Sequence, residues 1–218
     1  MHVLLIAAHG TASPVGSATT AEIVAAVAAA RPDVDVRLCF LDVVEPSMRQ
    51  ALDGLGSREV VVVPLLLSAG YHVLTDIPAV VEGRPGVRVA RHLGPDPLLV
   101  DALADRLIQA GAGANSSTVL VSVGSSRPQA RADVDATAAL LAARLDRPVT
   151  ALTAAELDRD ALAAMPAPVF VVGYLLAEGS FFDSLLATTA GVAELTAPVG
   201  AHPSLVELVL ARYDAALA

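Results

Sequence analysis

VVVVPLLLSAGYHVLTDIP, residues 60–78, carries an apolar, β-branched run into a glycine turn and then a histidine. The run has the length and composition of a buried strand rather than a helix. VLLIAAHGTA, residues 3–12, has the same form, with His9-Gly10 directly after the apolar residues. Two strands ending at these points in one parallel sheet would bring His9 and His72 to one rim. Neutral imidazoles there could hold a divalent metal or accept protons.

On either side of these two stretches, residues 19–31 have helical composition and stop at Pro32. Residues 35–41 read as a second strand, 45–55 as a helix with Pro46 in its first turn, 60–67 as the third strand and 87–91 as a fourth. A helix then starts at Asp96-Pro97, where Asp96 can cap and Pro97 suits the first helical position, and runs to about residue 110. Strands alternating with helices imply a parallel sheet with right-handed crossovers.

Residues 111–117, GAGANSS, have the small polar character of a linker, and the second half of the chain repeats the first. TVLVSVGSS (118–126) answers LLIAAHGTA, PVFVVGYLLAEGSFFDSLL (168–186) answers the strand-to-histidine stretch, and GAHPSLVELVLARY (200–213) answers GPDPLLVDALADRL (94–107). Three matches in one order indicate a duplication with a period of roughly 110 residues, too long for a solenoid. The expected fold is therefore α/β: two tandem flavodoxin-like lobes, residues 1–112 and 113–218, each a parallel sheet of about four strands flanked by helices, with a cleft between them. His9 falls opposite Val123 and His72 opposite Phe181, so the first lobe alone keeps the imidazoles.

In a 2-1-3-4 strand order ligands bind outside the carboxyl ends of strands 1 and 3. His9 and His72 both sit there, with Gly10 and Thr11 in the first loop and Ser68 and Gly70 in the second as candidate substrate contacts. Gly70 is expected to use a positive φ to turn its loop over the rim. Asp42 ends strand 2 on the same face, while Asp76 reads as a cap. Arg127 and Arg131 open the first helix of the second lobe and could meet anionic substrate groups or simply face solvent. His202 stands at the position of Asp96, where capping and cleft lining are both open to it. His2 and His92 read as structural.

The chain has 218 residues, is 55% hydrophobic and only 3% aromatic, so many small side chains build its core. A net charge of −9 with no basic stripe argues against phosphate-backbone binding and hence against nucleic acid. The single Cys39 excludes an intrachain disulfide and fits a reducing cytoplasm. Neither apolar run reaches the length of a membrane span, and a soluble protein is expected. No nucleotide-loop or zincin string is present. His9-Gly10-Thr11 resembles the first loop of the histidine phosphatases, but Ala8 stands where they have an arginine.

AAHGTA, FLDVVEPSM, VVVPLLLSAGYHVLTDIP and LGPDPLLVDAL resemble, in order and spacing, the sirohydrochlorin chelatases, which insert cobalt or ferrous iron into a tetrapyrrole. The resemblance is strongest over the first half and treats the second as a diverged repeat, giving chelatase-like lobes. It implies His9 and His72 as the catalytic and metal-handling pair, and leaves Asp42, one methylene shorter than the glutamate the family often has near the site, as a candidate third metal contact. Co²⁺, Fe²⁺ or Ni²⁺ would be a substrate rather than a bound cofactor, and a polycarboxylated tetrapyrrole the other partner. Where the family reads HGSR this chain has Ala12 in place of the arginine, and Gly124–Arg127 of the second lobe offers that charge across the cleft. A monomer is expected, with a homodimer as the alternative. Rival functions are a non-catalytic tetrapyrrole or metal carrier and, last, a phosphate-ester hydrolase using His9.

Overall fold

The computed structural model describes residues 2–218. Its first lobe runs β1 (Val3–Ala8), α1 (Pro14–Ala30), β2 (Asp35–Phe40), α2 (Met48–Leu55), β3 (Val60–Leu65), a π-helical turn (His72–Asp76) passing directly into α3 (Ile77–Val81), β4 (Val87–Val89) and α4 (Pro97–Gln109). The second runs β5 (Ser117–Ser122), α5 (Pro128–Leu145), β6 (Val149–Thr153), α6 (Arg159–Ala163), β7 (Val169–Gly173), α7 (Ser180–Thr189), β8 (Glu194–Leu195) and α8 (Pro203–Ala215). All strands pair in parallel, in the orders β2-β1-β3-β4 and β6-β5-β7-β8. The α/β duplication and strand order read from the sequence are those of the molecule.

Both faces of each sheet are covered, which is why central strands such as β1 and β3 can be apolar at every position. In β1, Leu4, Ile6 and Ala8 join one apolar cluster while Val3, Leu5 and Ala7 join another on the opposite face. β5 divides likewise, Leu120 to one side and Val119 and Val121 to the other. One cluster is common to both lobes: Leu4, Ile6 and Val63 of the first sheet lie in it with Leu120 and Val172 of the second. The bridge is built by α4 and α8. α4 packs against α5, α8 and β7, while α8 packs against α1 and β3, so each lobe's last helix covers the other lobe.

Capping chemistry sets several helix starts. α4 begins as expected, with the Asp96 carboxylate accepting from Leu98 N–H. α1 begins earlier, at Pro14, because Ser13 caps it by accepting from Gly16 N–H. α2 begins later: Ser47 and Gln50 form a reciprocal capping box, which leaves Pro46 outside the helix. β3 ends at Leu65, two residues short of the expected end.

Candidate functional site

The carboxyl ends of β1 and β3 are adjacent, since Ala8 lies beside Leu65 in the register. His9 comes immediately after β1, and the loop after β3 brings His72 back to it. The two rings meet edge to face with centroids 4.7 Å apart. Each uses Nδ1 locally. His9 Nδ1–H donates to the Gly10 carbonyl at 3.1 Å, and His72 Nδ1–H donates to Asp76 Oδ2 at 2.6 Å. Both rings therefore keep Nε2 as the nitrogen with a lone pair to offer.

The pair stands at the mouth of a cavity of about 530 Å³ between the lobes. The first lobe contributes Leu65 to Ser68, Gly70 and Tyr71, and the second contributes Val123, Ser125, Tyr174 and Leu176 among others. A smaller cavity of about 280 Å³ also borders His9 and includes Gly10, Thr11, Glu178 and Phe181. Two of the apolar residues at the larger mouth, Tyr71 and Val123, are more than half exposed. Such a surface suits a partly apolar ligand.

Gly10 is required where it is. Its φ is +96°, and a Cβ there would overlap the carbonyl oxygen of Asp42. Gly70, by contrast, does not take a positive φ; the loop turns without it, and a Cβ there would meet only Ser125 Oγ at 3.8 Å. The loop is held instead by Asp133 of α5, whose Oδ2 accepts from Ala69 N–H at 2.7 Å and from His92 Nε2–H at 2.8 Å. Tyr174 adds a second strut, its hydroxyl donating to the Leu67 carbonyl at 2.9 Å. Burial pushes that phenol's pKa up, so it stays a donor.

Other candidates fall elsewhere. Asp42 lines neither cavity; its carboxylate accepts from Val43 N–H at 2.8 Å. Among the described residues no three His, Cys, Asp or Glu side chains gather as a metal cage. The geometry thus brings together two imidazoles without Asp42. His202 is 9% exposed and caps α8, Nδ1 accepting from Ser204 N–H, while Nε2 faces Asp105 at 3.3 Å. It is a cap and not a wall of the cleft.

The two arginines differ. Arg131 lines the cavity, but its guanidinium is taken by Asp135 and Glu156, which raise its pKa in that order. Arg127 has no carboxylate partner among the described residues. It lies over the Tyr71 ring at 5.4 Å and donates to Thr75 Oγ1 at 3.5 Å, reaching from the second lobe to the π-helical turn of the first. Sequence reading misses Asp76, which it makes a cap; the backbone there is helical and the side chain makes no capping bond. The His72/Asp76 spacing is the available signal, and it means little until the segment is known to be helical.

A duplicated, parallel α/β scaffold with one histidine pair at the switch point of one lobe is the class that fold and site define. The CbiX family model matches residues 3–110. The sirohydrochlorin cobaltochelatase of Methanococcoides burtonii is 27% identical over 123 residues, covering 49% of this chain and 94% of that one. That of Methanosarcina acetivorans is also 27% identical, covering 49% and 95%. Through this first lobe the chain belongs to the CbiX family of sirohydrochlorin chelatases. Two solved structures share the fold of the whole chain. SirB from Bacillus subtilis with Fe³⁺ has a TM-score of 0.84 at 23% identity, covering 100% of this chain and 96% of that one. CbiX, described as the terminal enzyme for biosynthesis of siroheme in denitrifying bacteria, has 0.73 at 22%, covering 99% and 100%.

Proposed function

We propose that this protein inserts a divalent metal ion, Co²⁺ or Fe²⁺, into sirohydrochlorin or a closely related polycarboxylated tetrapyrrole, serving siroheme or cobalamin-type biosynthesis. The observation that carries the reading is the pair of imidazoles 4.7 Å apart, each with Nδ1 engaged, over an interlobe cavity. Membership of the chelatase family supports it, as do the names of the cobaltochelatase relatives and the iron and cobalt named with the SirB structures.

Metal insertion needs an ion that sheds water and two pyrrolic protons that leave. Two neutral nitrogens hold a borderline ion such as Co²⁺, Fe²⁺ or Ni²⁺ while leaving most coordination positions open; a closed four-ligand cage would trap it. Imidazole can then take a proton, because its ordinary pKa lies near neutrality. Tyr71 and Val123 offer apolar contact to the macrocycle, Gly10, Thr11, Ser68 and Gly70 offer backbone or hydroxyl contacts, and Arg127 offers an unneutralised charge to its carboxylates. Arg131, already paired, contributes shape.

The same reading assigns residues 1–112 to the lobe that carries the histidines and 113–218 to the opposing wall, and it sets the chain in the cytoplasm as a monomer. No helix among the described residues is long and apolar enough to cross a membrane. His9→Ala and His72→Ala should each lower metal insertion by about 100-fold or more, the range of a lost acid–base group. The macrocycle's visible spectrum against an enzyme-free control measures this. A double variant that metallates sirohydrochlorin at the wild-type rate would end the reading.

A further inference from the structure

We propose that Asp76 is the positioning residue of His72, fixing its tautomer and ring plane so that Nε2 is the nitrogen presented to the metal ion. The inference rests on the proposed function, in which His72 receives the ion, and it assigns a task to a carboxylate that the histidine pair alone does not explain.

The two imidazoles are not equivalent. His9 has only the neutral carbonyl of the next residue as partner for Nδ1, at 3.1 Å. His72 has a carboxylate oxygen at 2.6 Å, the short distance of a charge-assisted bond. Asp76 is committed to this bond: it makes no capping contact and pairs with no arginine among the described residues. The side chains of His72 and Asp76 are 22% and 33% exposed, so water competes for the bond only in part.

The backbone explains how the two residues meet. The turn from His72 to Asp76 is π-helical, and Ile77 N–H bonds back to the His72 carbonyl. In such a wide turn, residues four apart lie near one another on the same face, and π-helical turns recur at functional sites. Pro78 stands near the start of α3, directly after this turn.

The chemical consequence comes from the ring. A neutral imidazole carries one proton, and a metal binds only the nitrogen without it. With a carboxylate at Nδ1 the proton stays there and Nε2 is free; with that acceptor gone, the Nε2–H form competes and has no lone pair to give at the cleft. An asparagine would be isosteric, but it can either accept from or donate to Nδ1, so it no longer selects one form.

The test uses the full metal-free chain and its Asp76→Asn, Asp76→Ala and Asp76→Glu variants. Long-range ¹⁵N–¹H correlation spectra read the His72 tautomer, and Co²⁺ alone, titrated by its visible bands, reads affinity. Wild type should be protonated at Nδ1 only. Asp76→Asn and Asp76→Ala should give a mixed or Nε2-protonated ring and bind Co²⁺ about 10- to 100-fold more weakly, with Asp76→Glu recovering part of both. A ring that stays Nδ1-protonated in Asp76→Asn and Asp76→Ala, or unchanged Co²⁺ affinity in both, overturns the proposal. Neither readout involves the macrocycle. A protein that behaves as expected here yet fails to metallate sirohydrochlorin would sink the chelatase reading and leave the role of Asp76 standing.

Discussion

The two lobes share strand order and a side-chain cap on the last helix but not chemistry. Gly10 at φ +96° and Gly124 at φ +95° make the same turn after the first strand, yet His9 precedes one and Val123 the other. The last helices correspond still more closely. Arg106 of α4 donates to the carbonyls of Pro198 and Val199, and Arg212 of α8 donates to those of His92 and Leu93, the matching positions. Each arginine holds the other lobe's loop. Duplication has thus kept the framework symmetric, since both halves must bury one shared core, while the site has needed only one set of reactive groups.

The largest effect on this shared framework should come from separating the lobes. Residues 1–112 alone would lose α8 from β3 and α1, and α4 would lose α5 and β7, exposing side chains such as Leu103 and Leu107 that are now buried. Burial of such a leucine is worth about 1.5–3 kcal/mol, and α4 carries several. The fragment should self-associate in sedimentation equilibrium and show no cooperative monomer unfolding in urea. A monomer with a sharp transition would show that the sequence repeats are also independent folding units.

That exchange of helices is invisible in the sequence, whereas the repeat itself is plain. The apolar runs at residues 3–8 and 60–65 announce buried strands because every position is covered, and Asp96-Pro97 announces a helix start through local capping chemistry. Which sheet α4 covers depends on packing between segments far apart, and no periodicity records it. The site divides in the same way. His9 and His72 are legible from strand ends, but the neutralisation of Arg131 needs Glu156 from another loop, and the pairing of His72 with Asp76 needs the segment between them to be helical. The 45–55 helix is misplaced by the sequence because Pro46 looks like a first-turn proline, when the Ser47–Gln50 box is the stronger signal.

A smaller contrast, confined to one turn in each lobe, comes from the paired glycines. Alanine at either position meets a left-handed backbone, costing about 1–2 kcal/mol. At Gly124 the nearest atoms are Thr153 Cβ at 3.5 Å and Cγ2 at 3.6 Å, so little else should change. At Gly10 the new Cβ overlaps the Asp42 carbonyl, so the backbone that sets the His9 ring must also move. Gly10→Ala should therefore destabilise clearly more in urea melts and abolish metal insertion, while Gly124→Ala should keep most of it. Equal losses in both variants would mean that the two loops share the chemistry.

The smallest effect separates the two caps. Asp96 accepts from Leu98 N–H and also from Arg212 Nη2 at 2.9 Å, both side chains of the ion pair being less than a fifth exposed. His202 makes the equivalent cap with a ring nitrogen, and its other nitrogen faces Asp105 at a longer 3.3 Å. Asp96→Ala removes a cap and strands part of a mostly buried guanidinium, for about 2 kcal/mol, whereas His202→Ala removes little more than a cap, for about 1 kcal/mol. Thermal or urea unfolding measures both. Catalysis gives the more decisive readout: because His202 holds a helix and does not border the cleft, His202→Ala should insert metal at the wild-type rate under conditions where the protein is folded. A fall in rate comparable to that of His9→Ala, with stability preserved, would return a third imidazole to the site and make the second lobe a chemical participant.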